Sequence, residues 1–226
     1  MKFETCNEIN IITFNSIRNN SIDDTFLDNF SKIISSIDKQ KPLLIKGSNN
    51  FFCPGIDLIY TLEMSRKSMN LYIKKFEKML KSVLQYDMPT FSYINGHSIA
   101  GGFALALSTD YRIVKEGNYY IGYNRKNIGI NLPPLARLLY QNYISTEAKI
   151  AGLEHVSNLS DSIIFDIWTK YDDLPFNFIK LNTNKRIINI NKSNTDIESE
   201  RIEFLDSWFS KDVVKFRNKT VSKMLK

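Results

Sequence analysis

Residues 94–114 read INGHSIAGGFALALSTDYRIV, and this stretch decides the fold. An apolar strand at 90–94 leads into Asn95-Gly96, and a second extended piece, 97–99, leads into Gly101-Gly102 at the start of a helical run. A helix N-terminus presents backbone N–H groups that lack partners within the helix, and glycines let a ligand approach the backbone closely. The spacing therefore fits either an anion-binding turn or small residues that pack a helix against a strand. No Gly-Lys-Ser/Thr and no GxGxxG follows, so neither a P-loop nor a dinucleotide fingerprint is predicted.

The composition is that of a soluble globular protein. The chain has 226 residues, of which 43% are apolar and 24% charged, enough for one large domain or one domain with an appendage. The net charge of +6 is spread along the chain and is densest at 211–226. Nucleic-acid binding would require a basic face with interleaved aromatic residues. The spread of charge instead favours a solvated surface that is compatible with a polyanionic ligand, and we expect no nucleic-acid partner.

Cysteine and histidine are too scarce for a structural cross-link or a histidine-based metal site. Cys6 and Cys53 lie far apart with no CxxC spacing, and the chain has only two histidines. The N-terminal residues lack an apolar signal core, and no apolar run approaches 18 residues. The sequence therefore predicts a cytoplasmic protein with no bound metal and no membrane segment.

Strands and helices are predicted to alternate along the chain. Residues 3–14 predict two strands with a turn at Asn7-Glu8, Ser21 is the predicted N-cap of the first helix, and 43–47 predicts a buried strand. The order strand, helix, strand predicts parallel pairing through a crossover. Further predicted elements are a helix at 66–86, strands at 110–115 and 118–123, a helix at 135–143, a helix at 146–153 capped by Ser145, an edge strand at 163–168, and a helical segment at 197–225.

The predicted C-terminal helical segment has an apolar face formed by Ile202, Leu205, Trp208 and Phe209. Exposed to water, such a face would be a contiguous apolar patch, so we expect it to pack on the core or on a neighbouring subunit.

The stretch 94–114 resembles the crotonase (enoyl-CoA hydratase/isomerase) family, whose members read roughly N-G-x-A-x-G-G-G-x-x-L-A-x-x-x-D-x-R-I-A. The matching residues are Asn95, Gly96, Gly101, Gly102, Leu105, Ala106, Asp110, Arg112 and Ile113. The resemblance covers about residues 10–155 and extends loosely to the C-terminal helix. It implies an α/β fold, the crotonase-like (ClpP/crotonase) spiral of ββα units, with a core at 1–190 and a C-terminal helical region at 191–226. It also implies homotrimers or dimers of trimers.

A second segment, SNNFFCPGIDLIY (48–60), is similar to the F-x-x-G-x-D-L segment of the same family. An oxyanion hole needs two convergent donors, and the resemblance places them at the backbone N–H groups of Ile56 and Gly101. It implies an acyl thioester of coenzyme A or of a carrier protein as substrate, with no separate cofactor. The residues placed near the coenzyme are Asn20, Ser21, Gly55 and Asp57. For Ser21 a helix N-cap, and for Asp57 a turn cap, is the competing interpretation.

The two acid/base glutamates of family hydratases are missing. Ala104 stands at one of these positions, and Arg125 stands at the other, within Ile121-Gly122-Tyr123-Asn124-Arg125. Alanine cannot transfer a proton, and arginine stays protonated at any working pH. Hydration by the family's two-glutamate mechanism is therefore not expected, and proton shuttling by the isomerase glutamate is not expected either.

The two backbone N–H donors of Ile56 and Gly101, here called the carbonyl clamp, would act without the family's glutamates. This combination favours decarboxylation or another enolate reaction. Family decarboxylases, including those of polyketide assembly, lack one or both glutamates, and Arg125 would orient a substrate carboxylate. Tyr123, Tyr120 and His97 are candidate proton donors, with packing or surface placement as the alternative for each. Glu63 and Glu77 lie off the family's catalytic positions, and we expect both at the surface. The alternative function is a catalytically silent homologue that serves as a binding or assembly subunit.

Overall fold

The computed structural model describes residues 1–48, 50–123, 130–145, 153–156, 159–160 and 194–225. These residues form nine strands and six helices. The strands are β1 (Lys2–Cys6), β2 (Ile9–Thr13), β3 (Leu43–Lys46), β4 (Phe51–Cys53), β5 (Thr90–Ile94), β6 (His97–Ile99), β7 (Tyr111–Lys115), β8 (Ile121–Gly122) and β9 (Leu153–Val156). The helices are α1 (Asp24–Ser36), α2 (Arg66–Leu84), α3 (Gly101–Leu107), α4 (Pro134–Ser145), α5 (Asn194–Trp208) and α6 (Lys211–Met224).

The strands form two sheets, and the chain passes between them in repeated turns. The larger sheet has the order β1-β2-β3-β5-β7-β9, and only its β1–β2 pair is antiparallel. The smaller sheet, β4-β6-β8, is parallel. Three turns, β3-β4-α2, β5-β6-α3 and β7-β8-α4, each supply a strand to the larger sheet, a strand to the smaller sheet and then a helix. This spiral of ββα units confirms the predicted fold class, and it places the ends of β4 and β6 side by side.

The N-cap of helix α1 lies two residues after Ser21, the residue predicted for that position. Asp23 is the N-cap, and its Oδ1 accepts the Phe26 N–H at 2.7 Å. The reason lies outside the helix, because Ile22 is held in an extended bridge to Ile56 and cannot join the first helical turn. The prediction of Ser21 as the cap was therefore wrong, and the first turn carries an acidic residue, Asp24, which suits the positive end of the helix dipole.

Two further predicted elements differ from the structure. Strand β8 is limited to Ile121–Gly122 and pairs with β6 in the smaller sheet. The helix predicted for 146–153 is wrong at its end, because Leu153 begins β9, which pairs with β7. The remainder of that helix, the edge strand predicted at 163–168 and the region boundary predicted at residue 190 lie outside the described residues.

The C-terminal segment is two helices, and the first packs on its own chain. Helix α5 contacts α2 and α4, and it buries Phe204, Leu205 and Trp208 in the main core. Ile202 is 49% exposed, so the core of its own chain does not cover it, and packing on a neighbouring subunit stays a prediction for this residue. The buried positions recur at the spacing of one helical face, and that face excludes position 202. Over the parts of the chain described, no helix has the length and apolar character needed to cross a membrane.

Gly102 of α3 packs directly against the backbone of β4. A Cβ at this position would lie 1.9 Å from the Cys53 carbonyl oxygen of β4, a backbone atom that cannot move aside alone. We expect Gly102→Ala to lower the free energy of unfolding by about 1–3 kcal/mol, measured by urea denaturation, because overpacking forces backbone shifts. The matched control is Gly101→Ala, whose Cβ would lie 3.3 Å from Gly55 Cα and should cost much less. Equal losses in the two variants would contradict the prediction.

Candidate active site

Two glycine-containing turns pack against each other and bring two backbone amides together. Gly55 has φ +96°, a left-handed conformation that favours glycine, and a Cβ on it would lie 2.8 Å from the Gly101 nitrogen. A Cβ on Gly101 would lie 3.5 Å from the Ile56 nitrogen. The absence of a side chain at Gly55 permits this approach. The predicted pair of donors, Ile56 and Gly101, is therefore adjacent in the structure.

The bridge to Ile22 fixes the direction of the Ile56 amide. The Ile22 N–H donates to the Gly55 carbonyl at 2.8 Å, and the Asp57 N–H donates to the Ile22 carbonyl at 2.9 Å. In a parallel pairing the residue between these two bonded groups turns its own N–H away from the partner strand. Among the described residues neither the Ile56 N–H nor the Gly101 N–H has a protein acceptor. Both amides thus remain available to a ligand oxygen.

Ala100 carries backbone strain at the same place. Its φ of +49° and ψ of −111° are unusual for a residue with a Cβ, and its N–H donates to the Gly122 carbonyl at 3.0 Å. Strained conformations of this kind cost about 1–3 kcal/mol and persist where the surroundings over-determine them. Here the strain orients the peptide unit that carries the Gly101 N–H.

The two amides adjoin a cavity of about 220 Å³ with an almost wholly apolar wall. The lining residues are Pro54, Ile56, Leu58, Phe76, Ile99, Ala100, Gly101, Tyr123, Ile130, Asn131, Leu132, Pro133, Ala136, Phe204, Trp208 and Phe216. Helices α5 and α6 contribute three aromatic side chains to this wall. No carboxylate, imidazole, ammonium or guanidinium group belongs to the lining in the part of the chain that is described.

Of the four further catalytic candidates, the structure brings Tyr123 to the cavity, whereas Tyr120 is 76% exposed and does not line it. The Tyr123 hydroxyl is buried and has no hydrogen-bond partner among the residues that the structure describes, and burial raises the pKa of Tyr123 far above its ordinary value. His97 does not line the cavity, since its Nδ1 accepts the Tyr120 N–H at 2.9 Å and its ring centroid lies 5.0 Å from that of Phe51. Arg125 lies outside the described residues.

The residues placed near the coenzyme are tied into the fold by internal hydrogen bonds. The Asn20 amide accepts the Ser16 N–H at 2.9 Å and donates to the Phe51 carbonyl at 2.9 Å. Asp57 is 3% exposed, and its Oδ1 accepts the Tyr60 N–H at 2.9 Å in the manner of a turn cap. Its Oδ2 accepts from Arg18 Nη1 at 3.0 Å. Gly55 forms the turn described above, and Ser21 is half-buried beside the Ile22 bridge.

Residues 4–149 match the enoyl-CoA hydratase/isomerase profile. The chain belongs to the enoyl-CoA hydratase/isomerase family. It is 26% identical over 162 residues to the peroxisomal enoyl-CoA delta isomerase 2 of Arabidopsis thaliana, covering 62% of this chain and 68% of that relative. It is 28% identical over 143 residues to the mitochondrial enoyl-CoA delta isomerase 1 of Rattus norvegicus, covering 61% of this chain and 48% of that one.

Solved structures of this family support the same fold. The human mitochondrial delta3-delta2-enoyl-CoA isomerase superposes with a TM-score of 0.80 at 19% identity, covering 96% of this chain and 94% of the other. An enoyl-CoA hydratase from Bacillus halodurans gives a TM-score of 0.74 at 15% identity, covering 96% and 98%. In sequence, by contrast, the match spans only about half the length of some curated relatives, 49% of the Arabidopsis enoyl-CoA delta isomerase 3 being an example.

In this enoyl-CoA hydratase/isomerase family member, sequence reasoning missed a buried ion pair behind the cavity. Glu77 of α2 is 4% exposed, and its Oε2 accepts from Arg201 Nη2 of α5 at 2.8 Å. Its Oε1 accepts the Leu135 N–H of α4 at 3.4 Å. The expected surface position of Glu77 was wrong, whereas Glu63 is exposed as predicted. The spacing in the sequence could have predicted this burial, because Glu77 follows the buried Ile73 by one helical turn and so lies on the same face of α2.

Proposed function

We propose that the chain is an acyl-thioester enzyme that binds the thioester carbonyl between the N–H groups of Ile56 and Gly101. The observation that carries this proposal is the pair of adjacent amides without protein acceptors at the wall of an apolar cavity. Preorganised donors in a water-poor site stabilise developing negative charge more strongly than water does. The species stabilised in this way is an enolate of the bound acyl group.

Decarboxylation or a related enolate reaction fits these residues better than hydration. Hydration needs a group that activates water and a group that protonates carbon, but Ala104 is fully buried in α3 and offers no acid. In decarboxylation the bond between the α-carbon and the carboxylate breaks, and its electron pair becomes the thioester enolate. Carbon dioxide leaves, and the α-carbon then takes one proton. The backbone clamp supplies the main stabilisation, and only one proton donor is required.

Tyr123 is the proton donor that we propose for this step. It lines the cavity with a protonated hydroxyl, and its raised pKa excludes a role as a base. The raised pKa also makes the hydroxyl a weak acid, so it suits only a strongly basic acceptor such as an enolate carbon, and the tyrosinate then regains its proton from water. His97 is a weaker candidate because it does not line the cavity. Arg125 keeps its proposed role of orienting a substrate carboxylate, with the drawback that a tight clamp would stabilise the carboxylate in the ground state.

The thioester carrier in this proposal is coenzyme A or a phosphopantetheine-bearing carrier protein. The side chains of Asn20 and Asp57 form hydrogen bonds within the protein. Their role in the carrier site would therefore be to hold the 15–21 loop and the Gly55 turn in place. Ser21 is left as the direct polar contact among the four residues. A homotrimer or a dimer of trimers in the cytoplasm remains the proposed assembly and location.

A second candidate is a catalytically silent homologue that binds thioesters as an assembly subunit. The observation in its favour is the same apolar wall, because none of the described lining residues carries a titrating carboxylate or imidazole. Such a protein would keep the carbonyl clamp and hold its ligand without turnover.

The test is a mass-spectrometric screen with malonyl-, methylglutaconyl- and enoyl-thioesters, each on coenzyme A and on a carrier protein. We expect loss of carbon dioxide from a carboxylated thioester and no addition of water to the enoyl thioesters. Binding without turnover would favour the silent homologue. Hydration of an enoyl thioester would contradict the assignment to decarboxylation, and a failure of every thioester to bind would overturn the proposed function.

A further inference from the structure

We infer that Tyr72 of α2 is a positioning residue for the Ile56 half of the carbonyl clamp, acting through the Ile22 backbone. The inference rests on the proposed function, because it concerns how the clamp is held. Tyr72 does not line the cavity, and its hydroxyl donates to the Ile22 carbonyl at 2.6 Å. Neither the family motif nor the spacing of apolar residues points to this contact.

The contact acts on the residue that fixes the Ile56 amide. The Ile22 carbonyl accepts two hydrogen bonds, one from Tyr72 Oη at 2.6 Å and one from the Asp57 N–H at 2.9 Å. A carbonyl oxygen has two lone pairs, so these donors saturate it. The Asp57 N–H and the Gly55 carbonyl, on either side of Ile56, are both bonded to Ile22. Tyr72 therefore anchors the short bridge that sets the plane of the Ile56 peptide.

Tyr72 itself has little freedom to move. Its side chain is 2% exposed, and its ring centroid lies 6.2 Å from that of Tyr60, whose hydroxyl donates to Asp24 at 2.7 Å. Burial raises the pKa of Tyr72 well above its ordinary value, so the hydroxyl remains a donor at any working pH. The Tyr72 hydroxyl holds the Ile22 backbone, and the two hydrogen bonds from Ile22 to Gly55 and Asp57 then restrict the Ile56 N–H to one direction. A clamp that binds developing charge needs this restriction, since a displacement of about 1 Å at a catalytic group can cost roughly 100-fold in rate.

The experiment compares Tyr72→Phe with Tyr86→Phe, using crotonyl-CoA labelled with ¹³C at the thioester carbonyl as the probe. Tyr86 is a matched control: it is also 2% exposed, and its hydroxyl donates to backbone carbonyls, Lys41 at 3.0 Å among them. It does not line the cavity. Infrared difference spectroscopy measures the carbonyl stretch of the bound probe, titration gives its Kd, and thermal melting establishes that each variant is folded.

We expect the bound carbonyl of the wild-type protein to absorb at lower frequency than that of the free probe. In Tyr72→Phe most of that shift should be lost while Kd changes by no more than about threefold, because the apolar cavity still holds the acyl chain. Tyr86→Phe should keep the full shift. A Tyr72→Phe protein that is folded and keeps the full shift would overturn the positioning role and leave the clamp intact. A wild-type complex without any shift would overturn the clamp, and the inference with it.

Discussion

Gly101→Pro is expected to lower kcat by about 100- to 1,000-fold for the thioester that turns over. Proline lacks a backbone N–H, so the variant removes one of the two donors from the carbonyl clamp, and the loss of one such donor typically costs this much. Gly101 is the first residue of α3, a position at which proline is compatible with helix geometry. The measurement is steady-state kinetics, with kcat and KM determined separately, because a donor that acts on the developing oxyanion affects kcat more than substrate binding.

Lys211→Pro is the matched control for this variant. Lys211 is also the first residue of a helix, it is exposed, and it begins α6 after the Ser210 N-cap. The control loses an N–H in the same structural context away from the clamp, so it should keep its kcat. Because Ala100 has a conformation that a following proline disfavours, circular dichroism and melting must show that Gly101→Pro is folded. A folded Gly101→Pro protein with unchanged kcat would exclude Gly101 as a donor.

Glu77→Ala is expected to lower the free energy of unfolding by about 3–5 kcal/mol. The substitution leaves the buried Arg201 guanidinium with only the partly exposed Glu198 as an acidic partner, and the removal of one partner of a buried ion pair typically has this cost. The Leu135 N–H of α4 loses its acceptor at the same time. Chemical denaturation followed by tryptophan fluorescence measures the loss, since Trp208 of α5 lies in the main core.

Two further variants test whether the loss of stability in Glu77→Ala comes from leaving a buried charge without its partner. The Arg66–Asp206 pair joins the same two helices at the surface, so Asp206→Ala should cost less than about 1 kcal/mol. The double variant Glu77→Met/Arg201→Met should recover most of the loss, because apolar residues of similar volume replace a buried pair at little cost. A Glu77→Ala protein no less stable than Asp206→Ala would show that the pair does not hold α5 on the core.

The pair of backbone donors was predicted through the family resemblance, because the segments around Gly55 and Gly101 match its two motifs. Each motif lies within a short window of sequence, and in the structure the two glycines pack against each other. His97 was a candidate because of its residue type, and type does not determine which neighbours a ring meets. In the structure those neighbours are the Tyr120 amide and the Phe51 ring.

The features that sequence did not predict depend on pairs of residues far apart in the chain. Ser21 has the side chain of a good N-cap, but the bridge from Ile22 to Ile56 sets where α1 begins. Glu77 has a charged side chain, but Arg201 gives it a partner inside the core. In both cases a tertiary contact outweighs a local preference, and no window of the sequence contains both partners.

The smaller sheet also has a consequence for how the protein folds. The Ile56 turn follows β4 and the Gly101 turn follows β6, and these strands pair in parallel although their sequences are separated by the whole of α2 and β5. Parallel pairs of this kind form slowly, because the loop-closure entropy is lost before the contact is gained. The two donors of the clamp therefore come together only when this long-range pairing has formed, whereas the helices and the β1–β2 hairpin need only local contacts. The infrared shift of a bound thioester would then report on the pairing of β4 with β6 during refolding.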